Sequence, residues 1–377
     1  MPSVRICTFR TGVSCTDPHA RRGRAQPNSI SNPNGKPNII VYLVDTLRCD
    51  SLGCYGRSGS TTPNIDKFAR DALLFENTRA QSSWTKPSVA SILTGHYPWE
   101  HRAEDFADCI DGKLPMMAEM LTKAGYSTGA IVTNFFVSQQ FGFQRGFASF
   151  DFLDQKSAQE VNQKAFTWLE KWDPKRPFAL YLHTLEPHAP YQPPERFLEP
   201  GQSARQFSNA DLDYMMKLLR LCEEFPSRED LRSEAQQRGQ VARKLYQQEV
   251  AAADAAFGEL LDYLKARGLY DNTLIVFVSD HGEEFLDHGW VGHLNTLYPE
   301  VLNVPLLIKP AQARPKGERR VQLAQHIDVL PTLMAQIHNP PTSPALPGRN
   351  LLAPETKGSS GAALFSLRLG RDAERFG

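Results

Sequence analysis

The stretch Ser82-Ser83-Trp84-Thr85-Lys86-Pro87-Ser88-Val89-Ala90-Ser91-Ile92-Leu93-Thr94-Gly95 sets a hydroxyl against a helix start. Pro87 suits a first helical turn because no N–H is needed there. Val89, Ile92 and Leu93 fall at helical spacing, and Gly95 ends the run. Thr85 is therefore expected at a helix N-terminus, where unpaired N–H groups and the positive dipole end favour an anion. A threonine in that place can equally serve only as a cap. Asp45 is a second candidate. It closes Pro37-Asn38-Ile39-Ile40-Val41-Tyr42-Leu43-Val44, a run suited to a central strand covered on both faces. The carboxyl end of such a strand is where open α/β sheets place their ligand sites. A further buried strand, 273–279, leads directly into Asp280-His281-Gly282-Glu283.

A large fold must bring these residues together. At 377 residues the chain can bury a large core, as one big domain or one with a small satellite. Apolar residues at 41% and charged residues at 22% describe an ordinary globular protein. Lys plus Arg (42) equals Asp plus Glu (42), so no global charge points to nucleic acid or an anionic membrane. The 6 cysteines are scattered, with neither zinc-like pairing nor disulfide density. No apolar run is long enough for a transmembrane helix. The N-terminal arginines precede no apolar segment, so no secretory signal is read. The expected location is cytoplasmic as written, or periplasmic or extracellular with a different N-terminus.

Residues 1–36, rich in Arg, Pro, Ser, Asn and Gly, read as a disordered arm. The catalytic domain is expected over 37–355 and a flexible tail over 356–377. Helices are read at 62–71, 114–124, 161–172, 246–267 and from 328. Strands are read at 72–75, 129–133, 177–183, 301–309 and 321–326. The polar segment 195–240, with helical patches such as 212–221, reads as a variable insertion or lid over the site.

The Thr85 stretch resembles the signature of the sulfatase family, within the alkaline phosphatase superfamily. That signature is Cys-x-Pro-Ser-Arg, four residues, then Thr-Gly; Pro87, Ser88, Thr94 and Gly95 match it. Thr85 takes the place of the cysteine that sulfatases oxidise to formylglycine, and Val89 that of the arginine. Threonine cannot become formylglycine. In this it looks like the phosphoryl-transferring relatives, such as nucleotide pyrophosphatases, phosphoethanolamine transferases and lipoteichoic acid synthases. Family order continues over residues 37–352. Thr46 replaces the second aspartate of the first metal motif, while Thr133 and Phe135 replace a lysine and a histidine. The loop from His183 to Tyr191 and the Asp280-His281-Gly282-Glu283 run resemble their family counterparts closely.

The resemblance implies an α/β fold with a mixed, mainly parallel central sheet, helices on both faces and a reduced C-terminal part. It implies one metal site of Asp45, Thr85, Asp280 and His281. Three oxygens and an imidazole suit Mn²⁺, Zn²⁺ or Mg²⁺ better than Ca²⁺. Gly282 is expected to let the backbone turn tightly under these ligands. Thr85 is expected as the nucleophile, with His188 or His293 assisting departure of the alcohol. His183, Asn134 and Lys86 are the expected substrate contacts. Asp50 and Asp254 read as structural, and Glu283, Glu284 and His288 as supporting groups. Three functions stay open: a phosphoric ester hydrolase or transferase working through a covalent Thr85 intermediate, a sulfuric ester hydrolase with unmodified Thr85, and a non-catalytic anion-binding relative. The expected partner is a small-molecule or headgroup ester.

Overall fold

A computed structural model of the chain describes residues 35–354, apart from 60, 203–206, 314 and 338–344. The arm read at 1–36 lies outside the described residues except for its last two positions, and the tail read at 356–377 lies wholly outside them. In chain order the strands are β1 (Asn38–Val44), β2 (Leu73–Arg79), β3 (Ser127–Val132), β4 (Ser149–Phe152) and β5 (Phe178–Thr184). They continue as β6 (Thr273–Ser279), β7 (Glu284–Phe285), β8 (Val291–Gly292), β9 (Leu306–Lys309) and β10 (Arg319–Gln325). β7 and β8 pair with each other; the rest form one eight-stranded sheet in the order β10-β2-β9-β6-β1-β5-β3-β4. Neighbours run parallel except β9, which is antiparallel to both β2 and β6. The helices are α1 (Pro63–Phe68), α2 (Thr85–Thr94), α3 (Pro98–His101), α4 (Met117–Lys123) and α5 (Ala158–Lys171). They continue as α6 (Asn209–Glu224), α7 (Glu229–Ala266), α8 (Pro299–Leu302) and α9 (Val329–Gln336). Among the described residues, no helix is long and apolar enough to cross a membrane.

Alternation along β1 explains the layers. Ile40, Tyr42 and Val44 pack into a core shared with residues of α1, α5 and α7. Ile39, Val41 and Leu43 point the other way, into a core shared with α2, α4 and α9. Every residue of β1, β5 and β6 is buried, as a strand covered on both faces requires. Each large apolar side chain so buried contributes about 1.5–3 kcal/mol relative to exposure. Parallel register then sets the positions that matter: Val44 lies beside Ser279 and Leu43 beside His183. One residue further along, Asp45 and Asp280 leave neighbouring strands side by side.

Of the boundaries that differ from the sequence reading, three have a reason in particular residues. The helix read from 246 begins at Glu229, so the 195–240 segment is largely a hairpin of α6 and the first half of α7. Its buried positions there are small, Ala235, Gly239 and Ala242, and so leave no large-residue stripe to see. Gly239 fits because a Cβ on it would lie 2.7 Å from Leu286 Cδ1. The strand read at 301–309 is a turn of helix, α8, followed by β9; Pro305 lacks the ladder donor. The helix read from 114 starts at Met117, because Pro115 disfavours helical backbone at Leu114.

Gly282 is needed for a reason other than a tight turn. Its N–H donates to the Val301 carbonyl at 2.7 Å, and a Cβ built on it would meet the Glu300 carbonyl oxygen at 2.0 Å. The obstacle is backbone and cannot swing aside. Gly282→Ala should therefore lower unfolding stability by about 1–3 kcal/mol, read as a fall in the urea midpoint. An unchanged midpoint would show that α8 yields freely.

Candidate active site

The carboxyl ends of β1, β3, β5 and β6 converge. His183 Nε2–H donates to Asp45 Oδ2 at 3.1 Å, and Asn134 Nδ2 donates to the same oxygen at 2.8 Å. On the neighbouring strand, Asp280 Oδ1 accepts from the backbone N–H groups of Thr46, at 3.2 Å, and His281, at 2.9 Å. Thr46 reaches it from a left-handed conformation, φ 53°, which a β-branched residue adopts only under constraint. Tyr246 of α7 supplies that constraint. Its hydroxyl donates to the Thr46 carbonyl at 2.8 Å and accepts from Arg48 N–H at 2.9 Å.

This scaffold leaves Asp45 Oδ1 and Asp280 Oδ2 buried without a hydrogen-bond partner. They lie 3.8 Å and 3.4 Å from His281 Nε2. His281 Nδ1–H is engaged by the Gly282 carbonyl at 2.9 Å, so the neutral ring presents a lone pair at Nε2. The three side chains offer donor atoms all within 4.8 Å of one another. Two orphaned carboxylate oxygens and an imidazole lone pair fit a divalent cation, which would offset the cost of burying those charges. Burial and the adjacent Asp45 charge hold Asp280 well above the usual carboxylate range. Burial would raise Asp45 too, but His188, His183 and His281 more than offset it and hold Asp45 low. Burial and neighbouring His293 push His281 well below an ordinary imidazole, against the pull of Asp45.

Thr85 completes the centre. It is the first residue of α2, after Trp84 as N-cap, and the Trp84 side chain makes no cap hydrogen bond. Thr85 Oγ1 lies 3.2 Å from His281 Nε2 and 3.4 Å from Asn134 Nδ2. The hydroxyl therefore faces the acidic pair and does more than cap the helix. At the far end, Gly95 closes α2 in a left-handed conformation, φ 69°.

A cavity of about 280 Å³ opens beside Thr85 and is lined in part by Asn134, His188 and His293. His188 Nδ1–H donates to the Ala189 carbonyl at 2.5 Å, and its ring lies 5.1 Å from that of His293. His293 Nδ1–H donates to Glu283 Oε1 at 3.0 Å, while Glu283 Oε2 accepts from Tyr191 OH at 3.1 Å. Burial alone would lower the His293 pKa, but the Glu283 carboxylate outweighs it and raises the pKa above an ordinary imidazole.

Two expected substrate contacts stand elsewhere. Lys86, one residue beyond Thr85, points away from the cavity: its Nζ donates to the carbonyls of Phe106 at 2.8 Å and Asp108 at 2.9 Å. His183 has no exposure, and Tyr181 OH donates to its Nδ1 at 3.2 Å. It orients Asp45 and does not line the cavity. Asn134 is both a turn former and a site residue: its Oδ1 accepts from Phe136 N–H at 2.9 Å. Asp254 caps the start of α1 through Asn64 and Ile65 N–H, and Asp50 pairs with Arg48. Sequence reasoning missed Tyr246 and the aromatic lining from Trp84 and Phe106. The adjacent pair Phe135-Phe136, next to Asn134, was the available signal.

A family model for sulfatases matches residues 37–338. N-acetylglucosamine-6-O-sulfatase of Bacteroides thetaiotaomicron is 27% identical, over 81% of this chain and 69% of its own length. The low-salt glycan biosynthesis sulfotransferase Agl7 of Haloferax volcanii is 25% identical, over 82% of this chain and 63% of its own. The phosphonate monoester hydrolase of Agrobacterium radiobacter has the same fold, with a TM-score of 0.68 at 22% identity, covering 84% of this chain and 76% of that one. A structure solved in complex with D-glucosamine-2-N,6-O-disulfate gives the same TM-score of 0.68 at 22% identity, over 84% and 79% of the two chains. The chain belongs to the sulfatase family and is an enzyme acting on ester bonds.

The Glu283–His293 pair has a sign that can be checked. Glu283→Gln should lower the pH at which the His293 imidazole loses its proton, followed by NMR of the ring. A titration that stays in place would mean that Glu283 does not hold the charge.

Proposed function

We propose that this sulfatase-family chain cleaves or transfers phosphoric esters, mono- or di-, through a covalent Thr85 intermediate. The observation that carries the reading is the Thr85 hydroxyl at the formylglycine position, 3.2 Å from His281 Nε2. Asp45, Asp280 and His281, with Thr85, would hold one divalent ion. When bound, it supplies positive charge that lowers the pKa of a threonine hydroxyl and neutralises ester oxygens. The identity of the ion is not implied by the donors beyond Mn²⁺, Zn²⁺ or Mg²⁺.

The chain's own residues do the rest. Thr85 Oγ gives up its proton to solvent and bonds to phosphorus as the bond from phosphorus to the alcohol oxygen breaks. Free N–H groups in the first turn of α2 face the charge that develops on the phosphoryl oxygens. His293, whose pKa the Glu283 carboxylate raises, gives a proton to the departing alcohol, and His188 stands beside it. Water then attacks phospho-Thr85 in a hydrolase; a second alcohol does so in a transferase.

The names of the curated relatives favour a second reading, sulfuric ester hydrolysis by unmodified Thr85. Against it, threonine cannot form the sulfatase hydrate. The complete donor set argues against a non-catalytic binder.

The test is turnover of nitrophenyl phosphate, a nitrophenyl phosphodiester and nitrophenyl sulfate with added Mn²⁺ or Zn²⁺. Thr85→Ala should lose phosphoester turnover by at least about a thousandfold. Intact-mass measurement on the quenched wild type should find one phosphoryl group. Phosphoester turnover surviving in the variant would remove Thr85 as nucleophile, and turnover of the sulfate alone would replace phosphorus with sulfur.

A further inference from the structure

One wall of the cavity takes no part in the chemistry above. Trp84, Phe106, Phe135 and Phe136 line it, and Phe106 and Phe135 are 47% and 46% exposed. Exposed aromatic surface next to a reaction centre is costly unless something covers it. These rings are also held in place. Phe106 lies 5.1 Å from Trp84 and 5.6 Å from Phe136. Phe135 stands edge-on against Phe136 at 5.6 Å and Phe141 at 5.5 Å. Behind them the buried Lys86 ammonium ties the backbone of Phe106 to α2 and sits 4.1 Å from the Phe141 ring centroid. Desolvating an ammonium costs several kcal/mol; the fold commits one to holding this rim.

Beyond Thr85, the polar lining is Thr133, Asn134, Asp154, Gln155 and Asn209, with His188 and His293. Asn134 is already engaged with Asp45 and with Phe136 N–H, so it has little left for a sugar hydroxyl. Asp154 lines the cavity and, among the described residues, no Lys or Arg does, so these walls offer no cation to an alcohol portion with further anionic groups.

We infer that this wall is the subsite for the alcohol portion of the ester and takes an apolar, planar, uncharged group, with Phe106 and Phe135 setting the preference. The inference rests on reading the Thr85 centre as an ester site. Bulky planar groups gain the area they bury against fixed rings.

The test compares kcat/KM for methyl, 2-naphthylmethyl and glucose-6-phosphate esters, all of primary alcohols, so that the departing oxygens differ little in basicity. The same three alcohols are run as sulfate esters. The 2-naphthylmethyl ester should exceed the methyl ester by about a hundredfold and the sugar ester by more. Phe106→Ala and Phe135→Ala should each cut the naphthylmethyl-to-methyl ratio by about tenfold. A sugar ester turned over as well as the naphthylmethyl one, or a ratio that survives both substitutions, would overturn the inference. If only the sulfates react, the phosphorus reading fails and the ratio on the sulfates still decides this one. Calorimetric binding of 2-naphthylmethanol to the wild type and both variants reads the wall without turnover. Absence of binding to the wild type would overturn the inference on its own.

Discussion

Two carboxylates leaving adjacent parallel strands impose the central constraint. Asp45 and Asp280 are brought side by side by the register of β1 and β6, and each has one oxygen held by hydrogen bonds and one without a partner. Two like charges this close and this buried are unfavourable unless a positive group lies between them. Much of the surrounding structure answers that demand. His183 and Asn134 fix the far oxygen of Asp45, Thr46 and His281 N–H groups fix that of Asp280, and His281 turns Nε2 to the free pair. The arrangement is a preorganised electrostatic trap whose strain is borne by the sheet.

Helix α2 brings the hydroxyl to that trap from the other side of the sheet edge. It is buried along its whole length, so its start cannot drift without disturbing the core it shares with β1 and α9. Lys86 fastens the same turn to the 106–108 loop. Thr85 is thus fixed by packing behind it and by a salt-free clamp beside it.

Most of this frame was legible in the residues. The buried strand runs at 37–45 and 273–279, each ending in an acidic residue, announced a parallel sheet with ligands at its carboxyl edge. Asp45 and Thr85 were nameable because each closed or opened a strongly patterned element, while Asp280 and His281, and the four as one ligand set, came from the resemblance to the sulfatase family. What escaped notice depends on distance along the chain. Tyr246 meets Thr46 across 200 positions, and nothing near either residue signals the contact. Lys86 looked like a cation beside a nucleophile, but one residue along a helix turns a side chain by about 100°, enough to aim it at the 106–108 loop. The first half of α7 was hidden because small residues, not large ones, face its partner.

The 38 residues of α7 form a rod of about 57 Å, and it serves two masters. Its first half belongs to the hairpin with α6, whose first residue, Asn209, reaches the cavity. Its middle carries Tyr246, which pins the bend below Asp280. One rigid strut therefore runs from a helix hairpin at the cavity rim to the bend below Asp280, and Tyr246 marks the point past which an exchanged hairpin would disturb that bend.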